Sequence, residues 1–274
     1  MKKRAFVTLI FLTSLSLLPL FNSCTTVPIT GRSQLTKLIG DEQIINMSAE
    51  AYQQVKDSLP MSNNAAQVAM IKDVGNKIQT AVEKYMNENG YEGLLDGFAW
   101  EFNLIDNDTL VNAWAMPGGK VAFYTGILPI CQNDLGVAVV MGHEVAHAVA
   151  KHGQERMNQA YLQSGLLSLG ALALGQDPTA SQRLVFEAVG IGANLKMLQF
   201  SRKHESEADE LGLTFMAIAG FDPREAPVFW ERMSAGSGGN QPPEFMSTHP
   251  SHETRISRLN AALPKALEYY EGNK

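Results

Sequence analysis

Apolar residues recur at helical spacing along Asp41 to Leu59 and again along Ala65 to Asn87, which predicts two amphipathic helices rich in good helix formers. The period then changes. Phe98 to Ile105 alternates as a strand, Pro117, Gly118 and Gly119 form a turn, and Val121 to Thr125 alternates again until Gly126 closes it. A longer apolar run follows, opened by Asn133 and Asp134 as N-cap candidates, with Lys151 and His152 suited to the negative helix end and Gly153 as a stop. It predicts a helix from about Leu135 to His152. Acidic residues ahead of an apolar run predict another helix within Ser201 to Gly220, and Pro250 with a Ser251 cap predicts a last helix that includes Arg255 and Ile256. Helices, a small sheet, then helices again is an α+β order, mostly helical.

Three segments stand apart from this order. Gly165 to Gly175 is apolar, but about eleven residues cannot cross a bilayer. With Ser181 to Leu198 it predicts a helical excursion over the cleft, able to move as a lid; ordinary core helices are the alternative. Ser234 to Glu244, with its glycines, prolines and small polar residues, is the predicted mobile loop. At the amino terminus a basic MKKR precedes an apolar run that ends at Ser23 and Cys24, the form of a secretory signal. The expected organisation is a signal over 1–23, a tether over 24–34 and one domain over 35–274 with no internal repeat.

Charge narrows the partners. The chain holds 22 basic and 28 acidic residues, and removal of Lys2, Lys3 and Arg4 with the signal leaves 19 against 28, a net charge of −9. Nucleic acid and anionic membrane surfaces are therefore not expected partners. The only cysteines are Cys24 and Cys131, so acylation of Cys24 would leave no intramolecular disulfide even in an export compartment.

The candidate chemistry lies in HEVAH, His143 to His147. Residues four apart share a helix face, so the two imidazoles can hold one metal ion, with Glu144 beside them to act on a water. Val139, Val140 and Ala150 share that face, so the rings point inward; a hydrogen-bonded pair of core histidines is the alternative. The extended pattern that places Gly three and His six residues after the second histidine fails, because Ala150 and Gly153 stand there. A carboxylate from the second helix is the other route. Glu205, Ala208, Asp209, Gly212, Phe215, Met216 and Ala219 fall on one core-facing stripe, whereas Glu207 and Glu210 point elsewhere, to solvent. A buried carboxylate needs a partner or a metal, which makes Glu205 the candidate third ligand; a helix N-terminal acid is its bland reading. Asp209, one turn on, is placed to accept the free ring N–H of a ligand histidine, or else to form a buried salt bridge.

HEVAH followed some sixty residues later by SRKHESEAD resembles the HtpX and BepA type of zinc metallopeptidase, the gluzincin family that includes the CAAX prenyl proteases. NAWAMPGGKVAFYTG, Asn112 to Gly126, and STHPSHETRI, Ser247 to Ile256, are similar to two further family segments, so the resemblance spans about Val27 to Leu259. It implies a zincin-like fold with a small sheet edging the cleft, one zinc ion on His143, His147 and Glu205, and Glu144 as catalytic acid and base. It favours substrate binding by strand addition at Asn112, Gly119 and Val121 over a plain core hairpin. His249, on a loop, would stabilise an oxyanion or fill the open zinc position at rest, against a bland surface role. His152, His204 and His252 are expected at helix ends or the surface. Cys24 resembles a bacterial lipoprotein lipidation site, and Thr25 after it resembles outer-membrane sorting. The implied function is endopeptidase quality control of unfolded or misassembled envelope proteins on the periplasmic side. The alternative is an assembly factor or chaperone for outer-membrane proteins with little proteolysis.

Overall fold

The structure, a computed structural model, describes residues 24–27, 30–35, 39–163, 201–235, 244–249 and 254–272. The signal segment, the two apolar segments between 165 and 198, most of the predicted loop, Ser251 and His252 lie outside the described residues. Helix α1 (Asp41–Ser58) and helix α2 (Ala65–Glu88) end within one residue of their predicted bounds. Asn64 caps α2, its side-chain oxygen accepting the N–H of Gln67 at 3.2 Å. Each buries one stripe: Ile44, Ala51, Tyr52 and Val55 on α1, and Ile71, Val74, Ile78 and Val82 on α2.

The two helices cover opposite faces of a three-stranded sheet made of β3 (Glu101–Ile105), β4 (Ala113–Met116) and β5 (Lys120–Tyr124). Successive side chains alternate between the faces. Val121 and Phe123 join the large core under α2, and Ala122 and Tyr124 join the smaller one with Ile44, Tyr52 and Trp114. Covering both faces explains why AWAM, residues 113–116, is buried throughout. Gly118 and Gly119, at φ +86° and +81°, make the left-handed turn between β4 and β5.

Strand order corrects one expectation. β5 lies in the middle, parallel to β3 and antiparallel to β4, so it has no free edge for a substrate strand. The outer side of β3 is also taken, by the N–H of Ser62 to Leu104 O and of Asp106 to Pro60 O. Among the described residues the open edge is β4, which packs beside the HEVAH helix.

After a short helix α3 (Leu128–Cys131), that helix is α4 (Asp134–Val149), capped by the Asn133 side chain, which accepts the N–H groups of Leu135 and Gly136. Every residue from Gly136 to Val149 is buried, as a helix at the centre of a domain requires. It ends earlier than predicted. Lys151 takes φ +57°, the chain reverses, and α5 (His152–Gln163) begins at once, with Gly153 inside it rather than at a stop. Lys151 Nζ reaches Asp41 Oδ2 on α1, and the reversal carries His152 back against His147.

Helix α6 (Arg202–Ile218), capped by Ser201, crosses α4 where Gly142 meets Gly212. A Cβ on Gly212 would stand 2.9 Å from the backbone nitrogen of His143. Helices α7 (Glu225–Ala235), α8 (Glu244–Thr248) and α9 (Thr254–Gly272) close the far side, α9 lying along α6. The expected tether is also different: β1 (Cys24–Thr26) pairs antiparallel with β2 (Ser33–Leu35), and Val27 is buried in the core. Among the described residues no helix is long and apolar enough to cross a membrane.

Candidate metal centre

The site assembles where α4, α6 and the end of α8 converge. His143 and His147 sit one turn apart on α4 with their rings edge to face at 4.7 Å. Glu205 enters from the first turn of α6, fully buried, and His249 from just after α8, also buried. Their donor atoms all lie within 4.8 Å of one another. His143 Nε2 is 3.1 Å from His147 Nε2, 3.5 Å from Glu205 Oε2 and 3.2 Å from His249 Nδ1. Glu205 Oε1 is 3.4 Å from His147 Nε2 and 3.1 Å from His249 Nδ1. Zinc bound tetrahedrally at about 2.0–2.1 Å spaces its ligands about 3.3–3.4 Å apart, so this set of nitrogen and oxygen donors fits zinc.

Burial sets the electrostatics. The Glu205 carboxyl, which burial alone would raise, is held well below the carboxylate range by His249, His143 and His147. Burial pulls the His143 imidazole down, but Asp209 and Glu205 outweigh it and raise it to about 9. His147 is pushed well below its ordinary value, chiefly by burial. The Glu144 carboxyl is raised by burial against the opposing pull of His249, His143 and the backbone N–H of Ala115 on the β4 edge. Glu144 Oε1 faces His249 Nε2 at 3.4 Å and accepts no hydrogen bond among the described residues.

The groups behind the donors orient them. Asp209 Oδ1 is 3.0 Å from His143 Nδ1, where the phase of α6 predicts it. Arg255, fully buried on α9, donates to Glu205 Oε2 at 3.1 Å and to Asp209 Oδ1 at 2.6 Å, and its guanidinium lies 3.3 Å from the centre of the Trp230 ring. Asp209 thus serves as both histidine partner and salt-bridge partner. Sequence reasoning misses Arg255, because an arginine in the first turn of a C-terminal helix looks like a surface residue. The one signal for it is the demand itself: two inward carboxylates on α6 require a buried cation besides a metal.

Glu207, expected in solvent, is interior, and so are His152 and His204, which do sit at helix ends, in the first turns of α5 and α6. His152 Nδ1 is 2.8 Å from His147 Nδ1, and His152 Nε2 is 2.9 Å from Glu207 Oε2. His204 stacks on His152 with ring centres 4.4 Å apart, and its Nε2 is 3.0 Å from Glu155 Oε2. Glu207 is directed away from Glu205, as predicted. That side of α6, however, is covered by α5 and by residues 30 and 32 rather than by water. Glu210 is exposed as expected.

The expected substrate-binding residues divide. Asn112 is buried at the start of β4, and its side-chain oxygen accepts the N–H of Ala113 at 2.9 Å. Val121 is sealed inside the sheet, with its carbonyl oxygen taking the Tyr52 hydroxyl at 2.8 Å. Gly119 lies at the hairpin turn against Trp100, where a Cβ would come within 2.7 Å of the indole. Neither lies on the β4 edge: Val121 is in the central strand and Gly119 in the turn before it. Cys24 opens β1.

Known proteins are similar to this chain in sequence. The chain is 38% identical over 193 residues to the mitochondrial metalloendopeptidase OMA1 of Saccharomyces cerevisiae, covering 68% of this chain and 54% of the relative. It is 31% identical over 256 residues to the human mitochondrial metalloendopeptidase OMA1, covering 89% and 47%. It is 27% identical over 259 residues to the beta-barrel assembly-enhancing protease of Escherichia coli, covering 91% and 50%. The chain thus spans about half the length of the relatives it matches. Their names refer to both a mitochondrial and a bacterial setting, broader than the bacterial resemblance alone. The model of peptidase family M48 matches residues 74–263, more than half of the sequence and all of His143, Glu144, His147, Glu205, His249 and Arg255, and the chain belongs to that family of zinc metallopeptidases.

Proposed function

We propose that this chain is a zinc-dependent endopeptidase of the bacterial cell envelope, acting on unfolded or misassembled envelope proteins. The observation that carries the reading is the buried His143, His147 and Glu205 donor set with the Glu144 carboxylate beside it. The setting is supported by the likeness to the beta-barrel assembly-enhancing protease and by the basic and apolar segment that ends at Cys24, a candidate lipid attachment point on the periplasmic side of the outer membrane.

His143, His147 and Glu205 would hold the metal, with Asp209 and Arg255 fixing the orientation of the first and third. Zinc bound there supplies Lewis-acid chemistry, polarising a carbonyl and lowering the pKa of a water. Glu144, its carboxyl raised by burial, takes the proton of the attacking water at Oε1, the oxygen that no hydrogen bond occupies among the described residues, and returns a proton to the leaving amine. Substrate backbone adds to β4 instead of β5. The carbonyls of Ala113 and Ala115 face away from β5, and Asn112, by holding the N–H of Ala113, fixes the start of that edge.

His249 supports a second reading, a zinc-binding assembly factor that holds clients and cleaves rarely. Its Nδ1 stands among the donors at ligand spacing, where it would compete with substrate for a metal held by the other three. Turnover then requires His249 to swing out, whereupon its ring can stabilise the oxyanion. Zinc content and casein cleavage of the wild type, Glu144→Gln and His249→Ala decide between the readings. The peptidase reading expects Glu144→Gln to keep zinc and lose activity at least 100-fold, about the low end for a general base. Zinc without cleavage in both the wild type and His249→Ala would sink it. For the anchor, Cys24→Ser should leave the membrane fraction, and retention there would refute lipidation.

A further inference from the structure

Metal ligands do not act alone: a histidine that binds through one ring nitrogen needs an acceptor for the N–H on the other, and that acceptor fixes its tautomer and tilt. His143 has Asp209. His147 has another imidazole, His152, at 2.8 Å between the two Nδ1 atoms. If His147 binds through Nε2, its Nδ1 carries the proton and donates to His152 Nδ1. His152 must then carry its own proton on Nε2, which donates to Glu207 Oε2 at 2.9 Å.

An imidazole is a weaker orienter than a carboxylate, so everything depends on how firmly His152 is held. Among the described residues, two contacts on the side away from His147 hold it. Glu207 accepts from its Nε2, and His204 stacks on its ring while bonding Glu155 Oε2 at 3.0 Å. Both carboxylates are gripped by one residue of the N-terminal hairpin. Arg32 donates from Nε to Glu207 Oε2 and from Nη1 to Glu155 Oε2 at 2.7 Å, while the Thr30 hydroxyl donates to Glu207 Oε1. The planar fork of a guanidinium reaches two carboxylates at fixed angles, which a lysine cannot do.

We propose that Arg32 is a positioning residue for the metal centre, setting the orientation of His147 through Glu207 and His152, so that the β1–β2 hairpin is a working part of the site. Arg32 stands eight residues after Cys24, and the hairpin therefore ties the N-terminal segment mechanically to a zinc ligand. The inference rests on His147 being a ligand, as the proposed function has it.

The test measures zinc affinity by competition with a chromophoric chelator, and the visible spectrum of the Co²⁺-substituted protein, for the wild type, Arg32→Ala, His152→Ala, the double variant and His147→Ala. Loss of an orienting partner typically weakens metal binding about 10–100-fold, the range expected for His152→Ala; Arg32→Ala, one step further out, should weaken it about 3–10-fold. Both should shift the Co²⁺ bands. Because Arg32 acts through His152, the double variant should bind zinc no more weakly than His152→Ala alone. If Arg32→Ala leaves affinity and spectrum unchanged, or if the two losses add in full, the proposal fails, whatever happens to the melting temperature. If His152→Ala does not fold, His152→Asn takes its place in the cycle. Failure of the underlying metal reading looks different: His147→Ala would then keep wild-type zinc affinity.

Discussion

Gly212→Ala sets two physical effects against each other at the crossing of α4 and α6. Alanine in a helix interior is favoured over glycine by about 0.8–1.0 kcal/mol, so propensity alone makes the variant more stable. Packing opposes this. The new Cβ would lie 2.9 Å from His143 N and 3.0 Å from Gly142 C, where ordinary contact begins near 3.4 Å. These neighbours are backbone and cannot rotate aside, so the helices must part by about 0.5 Å, at the usual overpacking cost of about 1–3 kcal/mol. The net expectation is a loss of roughly 0–2 kcal/mol. Zinc binding should suffer more than stability does. Glu205 rides on α6 and both histidines on α4, with gaps of 3.4 and 3.5 Å that already fit the ion, whereas ligand distances tolerate only about 0.2 Å. Urea unfolding of the metal-free protein and chelator competition for zinc measure the two quantities. A variant more stable than the wild type, with unchanged zinc affinity, would refute the close-contact argument.

Two predictions concern other groups. Burial raises the Cys131 thiol to about 12, so in a Cys24→Ser background the native protein should resist a thiol reagent at pH 8 and take up one label once denatured; rapid native labelling would contradict its burial. The Glu207 carboxyl, which burial alone would raise, is held at about 2 by His152, Thr30 and Arg32. Its folded pKa lies below the ordinary 4.5, so its contribution to stability is present above pH 4.5 and is lost as pH falls toward 2. Removing Arg32 brings that pKa back up, so the stability gap between wild type and Arg32→Ala should narrow across this range. A gap that stays constant from pH 7 to pH 3 would refute the linkage.

Helical phase makes much of the site legible in the sequence. A period of 3.6 residues places His143 over His147 and turns Glu205 and Asp209 inward, and the structure brings these four residues together. Phase gives a direction but not what stands in that direction. Glu207 reads as solvent-facing because nothing in its helix says that Arg32, some 175 positions earlier, covers it. The hairpin is hidden for a related reason: Thr, Pro and Gly between residues 25 and 31 have the composition of a linker, and pairing of β1 with β2 leaves no periodic trace in strands of three residues. Strand order is likewise absent from alternation, since β4 and β5 show nearly the same buried pattern although β5 is central and β4 lies at the edge of the sheet.

The left-handed joint at Lys151 bears on how the gene can change. In an unbroken helix His147 and His152 would be about 140° apart around the axis, unable to touch. One reversed residue brings them to 2.8 Å. A codon inserted or deleted between them would rotate His152 by about 100° and shift it by about 1.5 Å along the helix, breaking that contact even though every side chain of the site survived. Across this interval the number of residues is therefore as much a part of the site as their identity.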